Sequence, residues 1–470
     1  MRLNAQLYTN VSDNLPNNGA KGSSMDVIAV DIDRDGDLDI ILANEFQANT
    51  ILLNNGKGVF TNGTVGNLPQ IVHDSEDIAS ADFNNDGFID LIFCSEDDIV
   101  MGKQNVHEYY LGNGAGKFTV APYKLPDTEA NAVATADINR DGFPDIVLGN
   151  KGINTVLIND GKGNFSIENN RLPQIERTTQ DLAFADVNKD GYLDLFEANE
   201  NGNLLYLSDS SGFFTNVTDT HLPKDLNIES RKVSFGDIDG DNDLDIFLSN
   251  VAFIGGKDPQ NRIFINDGTG KFTDETDERL PADNDHTIDA IFEDVDLDGD
   301  ADIVIANVFG SPIKIYQNDG TGFFSDETAT VLGTEYYRDA LGVIAADLNG
   351  DGFRDLYFCD RFSPQQNNKD LLLLRKPITS VHESLQESDI LTVFPNPVNT
   401  QFHIKTHLEN IDSIRLINQL GQNITHVSFA YEGKGLIKCT IDKTIIADGK
   451  YYLKIFSKDK SFTKSLLYKK

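Results

Sequence analysis

The pattern DxDxDGxxD, with Asp or Asn in its third place, begins at Asp31 and returns at Asp82, Asp137, Asp186, Asp237, Asp294 and Asp347, at intervals of 51, 55, 49, 51, 57 and 53 residues. Seven units of about fifty residues make a repeat architecture, in which each unit buries its apolar surface against its neighbours. Within a unit, apolar runs of strand length are separated by turn residues. In the second unit they are Ile78 to Ala81, Leu91 to Cys94, Tyr109 to Leu111 and Phe118 to Val120. The last two are joined by Asn113-Gly114-Ala115-Gly116, which supplies the positive φ of a tight hairpin. Four antiparallel strands per unit form a propeller blade.

Strand counting also predicts how the ring closes. The third run of the last unit, Leu371 to Leu374, leads to Arg375-Lys376-Pro377 and not to a glycine turn, whereas the N-terminus offers Leu7-Tyr8-Thr9-Asn10-Val11-Ser12. This first strand is expected to complete the last blade and so remove the open sheet edges. The expected fold is all-β: a seven-bladed β-propeller over residues 6–376 closed by the N-terminal strand, a polar linker at 377–391, and a small β-sandwich at 392–470. In that tail His403 and His407 lie four apart, but Phe402, Ile404 and Thr406 alternate with them as on a strand, so a zinc pair is not expected.

Charge separates the same two segments. The chain has a net charge of -36, while residues 378–470 alone hold 12 Lys+Arg against 9 Asp+Glu. An acidic surface repels phosphate backbones, so nucleic acid is excluded as a partner. No run of 18 apolar residues is present, so no membrane-spanning helix is expected. Three cysteines cannot build a disulfide framework. Cys94 and Cys359 stand four residues after the last Asp of a loop, where other copies have Ala43, Gly149, Ala198, Ser249 and Ala306, a slot for small side chains. The start, Arg2-Leu3-Asn4-Ala5-Gln6, resembles the end of a bacterial secretory signal peptide cut after Ala5, its apolar segment missing from this reading frame. An intact Met1 on the secreted form, seen by mass spectrometry, would overturn that reading.

The loops carry calcium chemistry. Alternating carboxylates at places 1, 3, 5 and 9, with a main-chain carbonyl at place 7 and a bend at place 6, can wrap one hard cation in oxygen ligands. Six copies have Gly at place 6 and the fifth has Asn242, which also tolerates a left-handed backbone. An EF-hand would place its chelating acid at position 12 between helices. Here that position is apolar in six copies, and strands flank the loop.

These features resemble the FG-GAP/VCBS repeats of the integrin α-type seven-bladed propeller, across residues 6–376. The resemblance implies Ca2+ as cofactor, bound between the first two strands of each blade. Its ligands would be Asp31, Asp33, Asp35 and Asp39; Asp82, Asn84, Asp86 and Asp90; Asp137, Asn139, Asp141 and Asp145; Asp186, Asn188, Asp190 and Asp194. In the last three loops they would be Asp237, Asp239, Asp241 and Asp245; Asp294, Asp296, Asp298 and Asp302; Asp347, Asn349, Asp351 and Asp355. Asn242 in the fifth loop and Pro144 in the third depart from the pattern. The tail, with Val393-Phe394-Pro395-Asn396-Pro397, Ile417-Asn418-Gln419-Leu420-Gly421 and Asp448-Gly449-Lys450-Tyr451-Tyr452, is similar to the type A C-terminal sorting domain of the type IX secretion system in Bacteroidetes. That implies engagement of the secretion machinery and a secreted or outer-membrane-surface location.

If calcium loops and glycine hairpins share one face, connections of variable length occupy the other. Phe46, Phe253, Phe309 and Phe362 fall there at nearly one offset. Such rings suit sugar stacking or a protein contact, or they cap the space between blades. Asp26, Asp77, Asp181 and Asp289, each five residues before a loop, either ring the channel mouth or satisfy main-chain donors of a neighbouring blade. Glu293, where other copies are small or apolar, could extend the adjacent metal site. No GxSxG, HExxH or GxxxxGK[ST] is present, so no catalytic residue is assigned. The expectation is a monomeric adhesion-type module binding an extracellular glycan or protein. The alternative is a polysaccharide-degrading enzyme or its accessory subunit, which would show two separated carboxylates on the variable face.

Overall fold

Each of the seven loop-bearing units folds, in the computed structural model, as an antiparallel meander of four strands. The structure describes residues 6–17, 22–96, 104–224, 226–361 and 369–376, and in the tail 391–394, 401–406, 411, 413–417, 424, 427–433, 436–441, 449–457 and 460–468. The proposed signal-peptide end, the linker, His407 and Phe362 lie outside the described residues. Two compact units are separated at residue 377.

In the first unit the inner strands are Ser24–Val30, His73–Ala81, Ala130–Ala136, Arg177–Ala185, Glu229–Gly236, His286–Glu293 and Ala340–Ala346. Each packs on the next, and the last packs on the first, which closes the ring. The last sheet takes its outer strand from the chain start, with Tyr8 opposite Arg375 and Asn10 opposite Leu373, as strand counting predicts. Second strands are buried on both faces, which explains continuous apolar runs such as Ile40 to Ala43 and Leu91 to Cys94. Sheet-to-sheet cores form from these runs: Ile41 and Ile51 meet Ile78, Leu91 and Phe93 of the next sheet. The three cysteines are buried and free. One-turn helices, Thr218–His221, Thr276–Arg279 and Thr328–Leu332, follow the fourth strands of three sheets.

The joints between sheets are fastened in two ways. On the loop face, the residue ending the third strand reaches back to the second-place carbonyl of the preceding loop. Asn54 donates to Leu348 O at 2.8 Å, Asn159 to Phe83 O at 2.9 Å, Asn266 to Val187 O and Asn318 to Ile238 O both at 2.8 Å, and Arg375 to Val295 O. The second sheet has Gly112 at this place, because a Cβ there would strike the Ile89 carbonyl oxygen. On the opposite face, main-chain pairing joins the first sheet to the second (Glu45 with Asp74) and the third to the fourth (Lys151 with Thr178). Isolated bridges, Ser23 with Arg361 and Pro312 with Tyr337, do the same at the last sheet's two joints.

The second unit is a sandwich-like pair of sheets. Leu391–Phe394, Gln401–Thr406, Leu436–Ile441 and Val427–Gly433 form one, and Ser413–Ile417, Gly449–Ser457 and Lys460–Tyr468 the other. Their core is Phe402, Ile404, Leu416, Ile437, Cys439, Leu453 and Ile455. His403 sits on a strand, as the alternation predicts.

Candidate metal loops and a channel site

All seven DxDxDGxxD loops join the first and second strands of a sheet and adopt one backbone. The first-place carboxylate accepts from the sixth-place N–H in every loop, at 2.7 to 3.2 Å. Asn242 takes the left-handed conformation there (φ 67), so its departure from glycine is accommodated. The fourth place is left-handed as well, which the sequence did not reveal: Arg34, Asn85, Arg140, Lys189 and Leu297 all have φ between 57 and 64. Gly240 and Gly350 hold the same place in the fifth and seventh loops. Leu297→Gly is therefore expected to stabilise the protein by about 1 kcal/mol, read as a higher urea midpoint.

Arg34 uses that conformation to reach Gly87 O and stack 4.4 Å above Phe88 in the next loop. Arg140 stacks on Tyr192 and Lys189 pairs with Asp243 in the same way. Neighbouring loops are thus in direct contact.

Three loops gather carboxylates closely enough for one cation. Asp31, Asp33 and Asp39, then Asp237, Asp239 and Asp241, then Asp294, Asp296 and Asp302 each place three oxygens within 4.8 Å of one another. Asp239 Oδ1 is shielded from solvent and has no hydrogen-bond partner, as a ligand oxygen awaiting a cation would be. The fifth loop, despite Asn242, is among these three. In three of the four loops whose third place is Asn, the amide bonds the fifth-place carboxylate instead: Asn84 to Asp86 and Asn139 to Asp141 at 2.9 Å and Asn188 to Asp190 at 3.0 Å.

The ninth-place Asp has a second occupation. In each loop its Oδ2 accepts from the second-place N–H and its Oδ1 from the N–H ending the third strand, as in Asp145 with Ile138 at 2.9 Å and Asn159 at 2.8 Å. The same pair of bonds recurs at Asp39, Asp90, Asp194, Asp245, Asp302 and Asp355. These residues tie loop to sheet. Burial pushes their carboxyls up against those bonds, to about 7 at Asp39 and about 8 at Asp302. Glu293 lies outside the neighbouring cluster and pairs with Arg354 of the next sheet at 3.1 Å.

On the other face the channel opens into a cavity of about 360 Å3. Each inner strand carries a register shift just before one residue: Asp26, Asp77, Ala132, Asp181, Lys232, Asp289 and Gly342, facing the small-residue slot of the second strand. Both roles suggested for the aspartates hold together. Asp26, Asp77, Asp181 and Asp289 accept from Ile78, Val133, Val233 and Val343 of the next sheet at 2.8 to 3.2 Å, and all four line the cavity. Lys232, which sequence reading missed, stands at the equivalent place 3.3 Å from Asp181. Comparing the same place across all seven units would have found it. Burial works against its charge, but Asp181, Asp289, Asp77 and Asp26 outweigh that and hold the ammonium well above the usual lysine range. A third of its side chain stays open to channel water.

Phe253 and Phe309 flank the cavity mouth, ring centres 5.1 Å apart, with His286 against both. They are 45% and 69% exposed, and their contact with each other lies at the joint between the fifth and sixth sheets. Phe309 is left-handed (φ 58), its N–H bonded to Asp339 at 2.8 Å, and Arg231 lies over Phe253. Phe46 is 62% exposed and also left-handed, but does not line this cavity.

Comparison with known proteins agrees with this architecture. A family model described as FG-GAP-like repeat matches residues 9–93, 96–148, 137–197, 186–248, 251–305 and 294–358, and one described as secretion system C-terminal sorting domain matches residues 392–469. No curated protein matches the chain. Among solved structures, BBS1N in complex with ARL6DN is similar at TM-score 0.50 and 12% identity, over 81% of this chain and 99% of that one. An Agrocybe aegerita lectin described as specifically recognising non-reducing terminal N-acetylglucosamine gives 0.44 at 15% identity, over 73% and 87%. The extracellular domain of the putative hybrid two component system BT4673 from B. thetaiotaomicron gives 0.47 at 11%, over 98% and 58%. At these identities the likeness concerns the fold alone. Repeated loops, four-stranded sheets and the matched residues together place the chain in the FG-GAP-like repeat family, with a type IX sorting domain at its C-terminal end.

Proposed function

We propose that this chain is an exported, calcium-stabilised propeller that binds an extracellular glycan through its channel face. The observation that carries the reading is the exposed Phe253–Phe309 pair beside a cavity lined with amides and carboxylates, on the face away from the metal loops. Rings of this kind stack on the apolar face of a sugar while Asn131, Gln180 and the aspartates meet its hydroxyls. Calcium would be held first by the loops with Asp in the third place, where Asp31, Asp33, Asp237, Asp239, Asp294 and Asp296 supply more negative charge than the Asn-bearing loops. Its contribution is to neutralise carboxylates that otherwise repel one another. The sorting domain supports delivery to the medium or the outer-membrane surface of a Bacteroidetes-type bacterium.

We read the site as binding and not catalytic: Asp26, Asp77, Asp181 and Asp289 are each already engaged by a main-chain N–H of the next sheet. The test is a glycan array in calcium, repeated with the double variant Phe253→Ala/Phe309→Ala. The wild type should give discrete hits and the variant should lose at least tenfold in signal with an unchanged melt. An array without hits on calcium-loaded, folded protein would redirect the reading to a protein ligand. New reducing ends on a bound polysaccharide would establish the enzyme instead.

A further inference from the structure

We propose that the channel cavity selects a saccharide terminus bearing a free primary amine, a glucosamine-type residue, with its ammonium directed to the carboxylates around Asp289 and its ring against Phe253 and Phe309. This rests on the channel-face reading above and names the chemistry of that site.

Charge is the first ground. The cavity wall carries six carboxylates against three cations. Two of those cations are already neutralised from behind by carboxylates that do not face the cavity: Arg231 by Glu229 at 2.6 Å and Arg361 by Glu45 at 2.7 Å. Lys232 alone is left to answer the wall, and its nearest partner is Asp181. The second ground is independent of the count. Asp289 is 6% exposed, its Oδ2 accepts from Val343, and its Oδ1 has no hydrogen-bond partner. A buried carboxylate oxygen left without a donor is costly, and a ligand that brings one removes that cost. Burial, and the neighbouring carboxylates after it, also push the Asp26, Asp289 and Glu76 carboxyls up, and a ligand ammonium would favour their ionised form.

An ammonium brings three donors and one positive charge, whereas an acetylated amine brings one donor and none. Uronic and sulfated sugars would meet like charge. At about 360 Å3 the cavity lies at the small end of ligand pockets, suited to a chain terminus and not to a long stretch. The aromatic pair leaves an apolar platform beside the acidic wall, which is the surface pattern of a sugar ring with one charged substituent.

Isothermal titration of the full chain in calcium at pH 6.5 tests this, with β-1,4-linked glucosamine disaccharide and its N,N′-diacetylated form as probes. The free-amine sugar should bind at least tenfold tighter. Asp289→Asn, which keeps an oxygen for Val343, should lower its affinity about tenfold and leave the acetylated sugar unchanged, while Phe309→Ala weakens both. Should D289N fail to fold, Glu76→Gln removes an ionisable carboxyl from the same cavity and carries the same expectation. Equal affinity for the two sugars, or insensitivity to these carboxyl-removing variants, overturns the ammonium assignment and leaves the channel reading standing. Binding of neither sugar by folded protein overturns the ammonium assignment as well, and the array then decides the channel reading.

Discussion

Excess EGTA is expected to lower the melting temperature of the calcium-loaded protein by roughly 10 °C or more, since each site held at a hundred times its dissociation constant contributes about 2.7 kcal/mol. Three loops gather three carboxylate oxygens each within 4.8 Å, and metal removal leaves that charge facing itself. The effect should grow with pH. In the metal-free protein the ninth-place carboxyls are raised by burial, to about 7 at Asp39, Asp194, Asp245 and Asp355 and about 8 at Asp302. A carboxyl raised above its unfolded value of about 3.9 means that the folded state binds more protons. Its stabilising contribution is complete below that value and is lost as pH rises through 7 to 8. Metal-free protein should therefore melt progressively lower from pH 5 to pH 8. Calcium binds the ionised form, so the gap between loaded and chelated protein widens over the same range. Scanning calorimetry at three pH values checks both, and a chelation shift under 2 °C at pH 8 would remove calcium from the stability of this fold.

Asp145→Ala should cost about 3–5 kcal/mol with or without calcium, because it strips two buried main-chain N–H groups of their acceptor and leaves a void. Asp145 belongs to a loop outside the three clusters and bonds Ile138 and Asn159 at 2.9 and 2.8 Å. The companion variant is Asp35→Ala, at an exposed fifth place, whose cost in EGTA should stay within about 1 kcal/mol and rise once calcium is added. Urea titrations of both variants in calcium and in EGTA separate a clamp from a ligand. If the D145A deficit disappears on chelation, the ninth-place Asp is a metal ligand first and a clamp second.

Much of the architecture was legible because repetition multiplies a weak signal. One DxDxDGxxD is a turn, but seven at one spacing, each followed by apolar runs and a glycine hairpin, specify the meander, and the unmatched first strand specifies closure. The fastening was not legible. Asn54, Asn159, Asn266 and Asn318 read as turn composition, because the carbonyls they reach lie 76 to 294 residues away in sequence. The clamping role of the ninth-place Asp, beside the ligand role read for it, escaped notice for a similar reason: a motif records which residue recurs, and its main-chain donors are set by tertiary packing. At the channel, Phe253 and Phe309 were found by offset and do converge. Lys232, Arg231 and Glu76 escaped notice because they differ from their counterparts in the other units, and a search for repeats discards what does not repeat.

The fifth sheet carries Arg231, Lys232 and Phe253, three of the groups that shape the channel mouth. Among the described residues, main-chain pairing on the channel face links the first sheet to the second, the third to the fourth, and the last to both its neighbours. None of these reaches the fifth. Side chains fasten it there instead, with the Val233 N–H on Asp181, Arg231 on Gln180 and the Ala252 N–H on His286, while Asn266 and Asn318 hold its far end to the fourth and sixth sheets. A ligand set against Phe253 would therefore bear directly on the contacts that join this sheet to its neighbours, since Arg231 and His286 both lie against that ring.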